Sequence, residues 1–297
     1  MWTELQIFGF QALWSPYYLT FVAALGVLYF FVMFRRKSEA KPTIKQWTSF
    51  YLGLILLYVI KGSPVDLLSH IMFTSHMAQM ALYYLVFPIL IIKGIPVWFW
   101  LRLFSIPILK SILKLLTTPL IALIVFNGLF SIYHMPTIFD FTKANPLAHA
   151  IISTTILITA FCMWWPVFTP VKEMETLSPL MKIGYIFANG VLITPACALI
   201  IFSNHSLYAT YSETSGWIDA LALCVPVSVL NGLSLSGPEM FSPIPIVEDQ
   251  QLGGVLMKIT QEIVYGAILA KVFFEWFNKE SKKVDPLPAS AEPRETT

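Results

Sequence analysis

The chain has 297 residues, of which 57% are hydrophobic and only 12% are charged. In soluble domains roughly a quarter of the residues are charged. The composition therefore predicts an all-α membrane protein with several spanning helices, which contacts the lipid bilayer. The formal net charge is +2. The basic residues are spread along the chain, and this distribution argues against nucleic acid as a partner.

Seven runs are apolar and long enough to cross a membrane, which takes about 20 residues. The second run is short as bounded and has to extend to about Lys61. An eighth apolar run, 217–235, contains Asp219, Pro226 and Asn231, so we interpret it as a re-entrant or surface helix. The seven predicted spans are residues 17–34, 47–60, 70–92, 117–135, 148–168, 183–202 and 255–277.

Lysine and arginine side chains follow every second span, which predicts an outside N-terminus and a cytoplasmic C-terminus. Residues 1–279 form the predicted seven-helix membrane domain. The tail, 280–297, is rich in proline and charge and is predicted to be a disordered cytoplasmic end. The linker 94–116 mixes prolines with an amphipathic pattern, which predicts a segment lying along the inner membrane surface.

All five histidines fall in the half of the membrane that this topology places outside. Met72, His76 and Met80 are spaced at i, i+4 and i+8, so we expect one stripe on the third span, with Gln79 beside it. An ionisable side chain as deep as His76 is costly in a membrane and indicates a functional site.

A short outer loop is bracketed by YHMP at 133–136 and NPLAH at 145–149, which brings His134 and His149 together by connectivity. These two imidazoles could share one metal ion with His76. Imidazole and thioether together suit copper, especially Cu(I), and the scarcity of nearby carboxylates argues against magnesium or calcium. The predicted copper ligands are His76, Met77, Met80, His134 and His149.

An imidazole that binds a metal through one nitrogen usually forms a hydrogen bond through the other. We expect Gln79, Asn127 or Asp140 to provide that hydrogen bond. Two other interpretations of the histidines remain open. One is ordinary packing, with methionine as core filler. The other is axial ligation of haem between facing helices, as in a membrane redox protein.

Several further residues have two interpretations each. Asp249 and Gln250, in EDQQLGG at 248–254, either cap a helix or bind a partner. Lys258 and Glu262 are four residues apart and could form a structural ion pair. Alternatively, Glu262 faces the bundle interior near the outer site and accepts a proton or binds a ligand. The tryptophans of MWWPVFTP at 163–170 are predicted to be interfacial anchors. We find no nucleophile and base pair, phosphate loop or paired carboxylates, so we do not expect an enzyme.

Five motifs occur in order across the spans: SHMAQM at 75–80, YHMP at 133–136, NPLAH at 145–149, WWPV at 164–167 and DQQLGG at 249–254. Together they resemble the CtaG family of Gram-positive bacteria, multi-pass cell-membrane proteins needed to assemble cytochrome c oxidase of the caa type. The resemblance runs from about the second span to the seventh. It implies a role around copper insertion, with oxidase subunits as partners.

The family pattern in the third span usually reads HMxQH, and Met80 stands here at the second histidine. A further histidine often follows the one matching His149, where this chain has Ile152 and Ser153. Met80 provides a soft sulfur ligand in place of the second histidine of that pattern, so the resemblance favours Cu(I) over Cu(II). The alternative within the family is a metal-free scaffold that binds oxidase subunits through the outer loop 203–254.

Overall fold

The computed structural model describes residues 2–35, 41–242 and 244–281, and within them the chain forms helices and loops without strands. We number the longer helices in chain order. They are α1 Pro16–Phe34, α2 Ile44–Gly62, α3 Pro64–Ile71, α4 Phe73–Gly94, α5 Val97–Leu103, α6 Pro107–Leu116, α7 Pro119–Tyr133, α8 Pro136–Ala144, α9 Pro146–Phe168, α10 Pro179–Ile201, α11 Thr214–Leu221 and α12 Ile246–Glu280. Shorter helical turns are Trp2–Leu5, Gln6–Phe8, Gly9–Trp14, Lys172–Met174, Ala209–Ser212, Val227–Leu230 and Pro238–Met240.

Proline opens most of these helices. It has no backbone N–H and its φ is already helical, so it is well tolerated at the first position. Before three of these prolines a polar side chain also caps the helix: Ser63, Asn145 and Ser178 each accept a hydrogen bond from a backbone amide of the first turn. The prolines at the first helical position are Pro16, Pro64, Pro107, Pro119, Pro136, Pro146 and Pro179.

The predicted multi-pass architecture is confirmed. Five helical stretches are long and apolar enough to span a membrane, and up to seven if two bent pairs each count as one span. The first pair is α2 with α3, bent by 45°, and the second is α6 with α7, bent by 76°. Residues 217–235 form α11, turns and the short helix Val227–Leu230, so this run makes no continuous span.

Two predicted spans differ in how well their boundaries match the helices. The second span does extend past Lys61, because α2 continues to Gly62. The third does not begin at His70, which lies on the separate helix α3. The predicted tail falls outside the described residues except for Glu280 and Ser281, where α12 ends.

Helix α4 lies at the centre of the bundle and packs against α3, α9 and α12, while α10 packs along α12. A second apolar cluster covers the end of the bundle where α3 lies. There Trp217 is fully buried against Phe241, at 5.8 Å between ring centres, and both pack with Leu5, Phe8 and residues of α3.

The α4 helix contains a π-helical turn at Leu82–Val86, just before Pro88. Pro88 has no N–H for the carbonyl of Tyr84, and the Trp164 indole of α9 donates to that carbonyl at 3.2 Å. Trp164 and Trp165 are 1% and 4% exposed. The prediction that they anchor the membrane interface is therefore wrong: both are core residues, of which Trp164 joins α9 to α4 and Trp165 packs against Trp100 of α5 at 4.8 Å between ring centres.

Candidate metal-binding site

The helix that carries His76 begins at Phe73 because a carboxylate from far along the chain caps it. Asp249 of α12 accepts a hydrogen bond from the Phe73 amide at 2.6 Å and another from the Thr74 amide at 3.3 Å. Thr74 Oγ1 donates to the Asp249 carbonyl at 2.8 Å. Met72 is extended, with φ −125° and ψ 134°, and precedes the helix. The predicted stripe is therefore wrong for Met72, while His76 and Met80 lie on the helix as predicted.

His76 is buried in an aromatic enclosure one turn into α4. Its ring centre lies 5.1 Å from that of Phe139, 5.9 Å from Phe73 and 6.1 Å from Tyr133. Both ring nitrogens are buried and neither has a hydrogen-bond partner. A buried polar atom without a partner carries its full desolvation cost, so such atoms in a native protein mark strain or a ligand.

His134, at the end of α7, faces His76 with the two ring centres 6.2 Å apart. Its Nδ1 lies 2.7 Å from the Phe130 carbonyl, which can only accept, so the proton of the neutral ring sits on Nδ1. Nε2 then presents a lone pair, and it too is buried without a partner. The Tyr208 hydroxyl donates to the His134 carbonyl at 2.9 Å and holds this turn in place.

The two predicted sulfur ligands accompany His76 on α4. Met77 is fully buried and Met80 is 5% exposed, and both belong to the central apolar core. Met80 follows His76 by one helical turn and therefore lies on the same face. Thioether sulfur is a polarizable group that fills core space and also binds Cu(I).

His149 does not join the first two histidines. Its ring lies 6.0 Å from that of His70 on α3, so the histidines form two pairs instead of the predicted trio. His149 Nδ1 is buried without a partner, whereas His70 Nδ1 lies 3.4 Å from Lys143 Nζ. In the described part of the chain, no three His, Cys, Asp or Glu side chains are placed to hold one metal ion.

Comparison with known proteins decides the family. The model of the cytochrome c oxidase caa3 assembly factor family, CtaG, matches residues 27–279. The chain belongs to this family. No curated protein and no solved structure matches it. The match covers every long helix except the first half of α1, and its multi-pass bundle fits an assembly factor that works in the membrane.

The groups expected to orient the imidazoles are bonded elsewhere in this assembly factor. Gln79 donates to the Asp66 carboxylate at 2.7 Å, and Asn127 donates to Asn189 at 2.9 Å. Asp140 accepts from two backbone amides at the start of the turn Ala209–Ser212, each at 3.0 Å. The orienting partner of His134 is instead a carbonyl one turn earlier on its own helix, a contact that residue types alone do not reveal.

Asp249 and Gln250 are internal and do not form a partner surface. Gln250 is 2% exposed, accepts from the Leu207 amide at 2.8 Å and donates to the His205 carbonyl at 3.4 Å. Asp249 is 6% exposed and caps α4 as described above. We therefore assign both side chains to holding α4 and the loop after α10 against α12, which corrects the partner-binding interpretation.

Two glycines were missed as site-positioning residues. A Cβ on Gly253 would lie 2.7 Å from Phe73 Cδ1, and one on Gly254 would lie 2.7 Å from Ile201 Cγ1. The pair lets α12 approach α4 and α10 closely, so that Asp249 reaches the first turn of α4. The signal in the sequence is the run DQQLGG, in which the acid and the glycines sit one turn apart.

Proposed function

We propose that this assembly factor receives Cu(I) between His76 and His134 and passes it to a maturing subunit of the caa3 oxidase. The observation that carries the proposal is the facing pair itself. Three of the four ring nitrogens are buried and unbonded, and the fourth donates to a carbonyl. Imidazoles that bind metals are usually oriented in this way through their other nitrogen.

The spacing of the pair supports a shared ion. A metal held between two facing imidazoles separates the ring centres by roughly 6 Å, from two metal–nitrogen bonds of about 2 Å and the ring radii. The observed separation is 6.2 Å. Met77 and Met80 provide soft sulfur on the same helix, so the donor set fits Cu(I), which accepts low coordination numbers and thioether ligands.

Hard cations fit this site poorly. The carboxylates of Asp140 and Asp249 already accept backbone amide bonds. Magnesium and calcium need several oxygen ligands, which the aromatic enclosure of His76 does not provide. Haem also fits poorly, because Tyr133 and Phe139 pack within 6.1 Å and 5.1 Å of His76, ring centre to ring centre, and occupy the space that a planar macrocycle needs.

The first test is Cu(I) binding by the purified protein, measured by competition with a chromogenic Cu(I) chelator. We expect one ion per chain and a loss of affinity of more than about 100-fold in His76→Ala and His134→Ala, since even outer partners of metal ligands contribute 10–100-fold. His205→Ala is the matched control, because His205 is an exposed loop histidine. Equal affinity in all three variants would contradict the proposal.

The second test measures oxidase activity in cells that carry the same variants at normal abundance. We expect His76→Ala and His134→Ala to lower the activity of the caa3 oxidase and added copper to restore part of it. Full activity in both variants would leave the metal-free scaffold as the function. If activity is lost and added copper does not restore it, the protein acts in folding the oxidase and not in supplying its copper.

A further inference from the structure

Helix α6 marks the membrane boundary at the end of the bundle opposite the histidines. It meets α7 at a bend of 76° and packs against α7 and α9. Ile108, Ile112 and Leu115 expose one apolar face of α6, and Lys110 and Lys114 lie on the opposite face. An amphipathic helix of this kind lies at the level of the lipid headgroups. The same level is where α4 and α9 end and α10 begins.

A recess of about 250 Å³ lies at this boundary, between the end of α9, the start of α10 and the end of α12. The turn before α6 contacts the last turn of α9, since the rings of Phe104 and Trp165 lie 5.2 Å apart, centre to centre. The recess combines charged with aromatic side chains. Among its lining residues are Phe168, Lys182, Lys271, Glu275, Trp276 and Lys279.

Along α12, lysine and glutamate recur four residues apart. Lys258 Nζ forms the predicted pair with Glu262 Oε1 at 2.7 Å, and the Glu262 side chain is 61% exposed, so the alternative that it faces the bundle interior is wrong. In the recess, Lys271 Nζ lies 3.7 Å from Glu275 Oε1. This pair leaves Lys279, one turn further along α12, without a carboxylate within 4 Å in the described part of the chain.

The recess carries more lysines than acids. The Glu175 carboxylate, in the loop before α10, is paired with Lys182, with 2.6 Å between Oε1 and Nζ. Lys93, at the end of α4, places its ammonium 4.1 Å from the ring centre of Phe168 and, among the described residues, has no carboxylate within 4 Å. Four lysines therefore meet two glutamates, an excess of two positive charges that comes from Lys93 and Lys279.

We propose that this recess binds the headgroup of an anionic phospholipid, whose phosphodiester is attracted by the two unpaired lysines. Basic pockets between spans at the headgroup level recognise anionic lipids. A zwitterionic headgroup fits less well, because its own ammonium meets the excess of lysine. Neither histidine pair takes part, so this site goes beyond the proposed function and is independent of copper.

The test is lipid binding by the purified protein, measured by native mass spectrometry. The probes are dioleoyl phosphatidylglycerol, dioleoyl phosphatidylcholine and inorganic phosphate. The two lipids have the same acyl chains, so a difference between them comes from the headgroup. A lysine near the membrane surface strengthens the binding of an anionic lipid by about fivefold. We expect one phosphatidylglycerol molecule to bind at least about tenfold more tightly than phosphatidylcholine, and millimolar phosphate not to displace it.

Charge-removing variants locate the bound lipid. Lys93→Gln and Lys279→Gln should each weaken phosphatidylglycerol binding by about fivefold and leave phosphatidylcholine binding unchanged. Lys110→Gln is the matched control, because Lys110 is exposed at the same boundary but lies outside the recess, and its affinity should equal that of the wild type.

Three results would overturn the proposal. Equal affinity for the two lipids would exclude headgroup recognition. Equal effects in all three variants would indicate diffuse attraction by the basic boundary, with no site in the recess. Displacement by inorganic phosphate would assign the recess to a free anion. Cu(I) binding should be unchanged in the lysine variants, so this test and the test of the histidine variants can fail separately.

Discussion

Replacing Asp249 should disconnect α12 from the helix that carries the candidate site. In Asp249→Ala the Phe73 and Thr74 amides lose the carboxylate that accepts their bonds at 2.6 and 3.3 Å. The Phe73 amide is buried, so it has no water to replace the lost acceptor. His76 lies one turn further along α4 and should lose its fixed position relative to His134.

The size of the effect follows from these contacts. A capping side chain contributes about 1–2 kcal/mol, and hydrogen bonds to a charged group about 1.5–3 kcal/mol each. Because the two amides share one carboxylate, we expect roughly 3 kcal/mol for Asp249→Ala and about 1 kcal/mol for Asp249→Asn, which keeps one acceptor oxygen. At 2–4 °C per kcal/mol for a protein of this size, the melting temperature should fall by roughly 6–12 °C in the alanine variant.

The assay is thermal unfolding in detergent, followed by the fluorescence of the tryptophans, with Cu(I) affinity measured on the same samples. Asp219→Ala is the control, because it removes the same side chain from an exposed position of α11. Asp249→Ala should be less stable than the control and bind Cu(I) more weakly. Equal stability in the two variants would refute the assignment of Asp249 as the cap of α4.

Three further predictions concern burial and packing. Trp164→Phe leaves the Tyr84 carbonyl without its donor and should cost about 1–3 kcal/mol, and an unchanged melting temperature would contradict this. Gly254→Ala should destabilise the bundle by about 1–3 kcal/mol, because its Cβ would lie 2.7 Å from Ile201 Cγ1. Gly266→Ala is the control and should be neutral or stabilising, because a Cβ there meets nothing within 4 Å. Equal melting temperatures of the two variants would refute the close approach of α12 to α10. Burial lowers the pKa of Lys143 from 10.5 to about 7, so the unfolded chain holds more protons above pH 7 and stability should rise by roughly 2–3 kcal/mol between pH 7 and 9. Lys143→Met should flatten this part of the pH profile, and a profile that keeps its slope would exclude Lys143 as the cause.

The positions of the long helices could be predicted from the sequence because each depends on local properties. An apolar run long enough to cross the bilayer, opened by proline, is sufficient to place α9 and α10 within a few residues, whereas α12 begins nine residues before the predicted span 255–277. The break between α3 and α4 could not be predicted in this way. It depends on Asp249, a residue 176 positions after Phe73, and an apolar scan joins the two helices into one span.

The sequence by itself determined the class of protein, the family motifs and the residue types at the site, because composition and motif spacing are properties of the chain alone. Only the tertiary structure decided which histidines face each other. Connectivity placed His134 near His149, but the packing of α4 with α7 pairs His76 with His134, and the packing of α3 with α9 pairs His70 with His149. Such pairings depend on helix crossings and on caps between distant segments, and no local pattern records either of them.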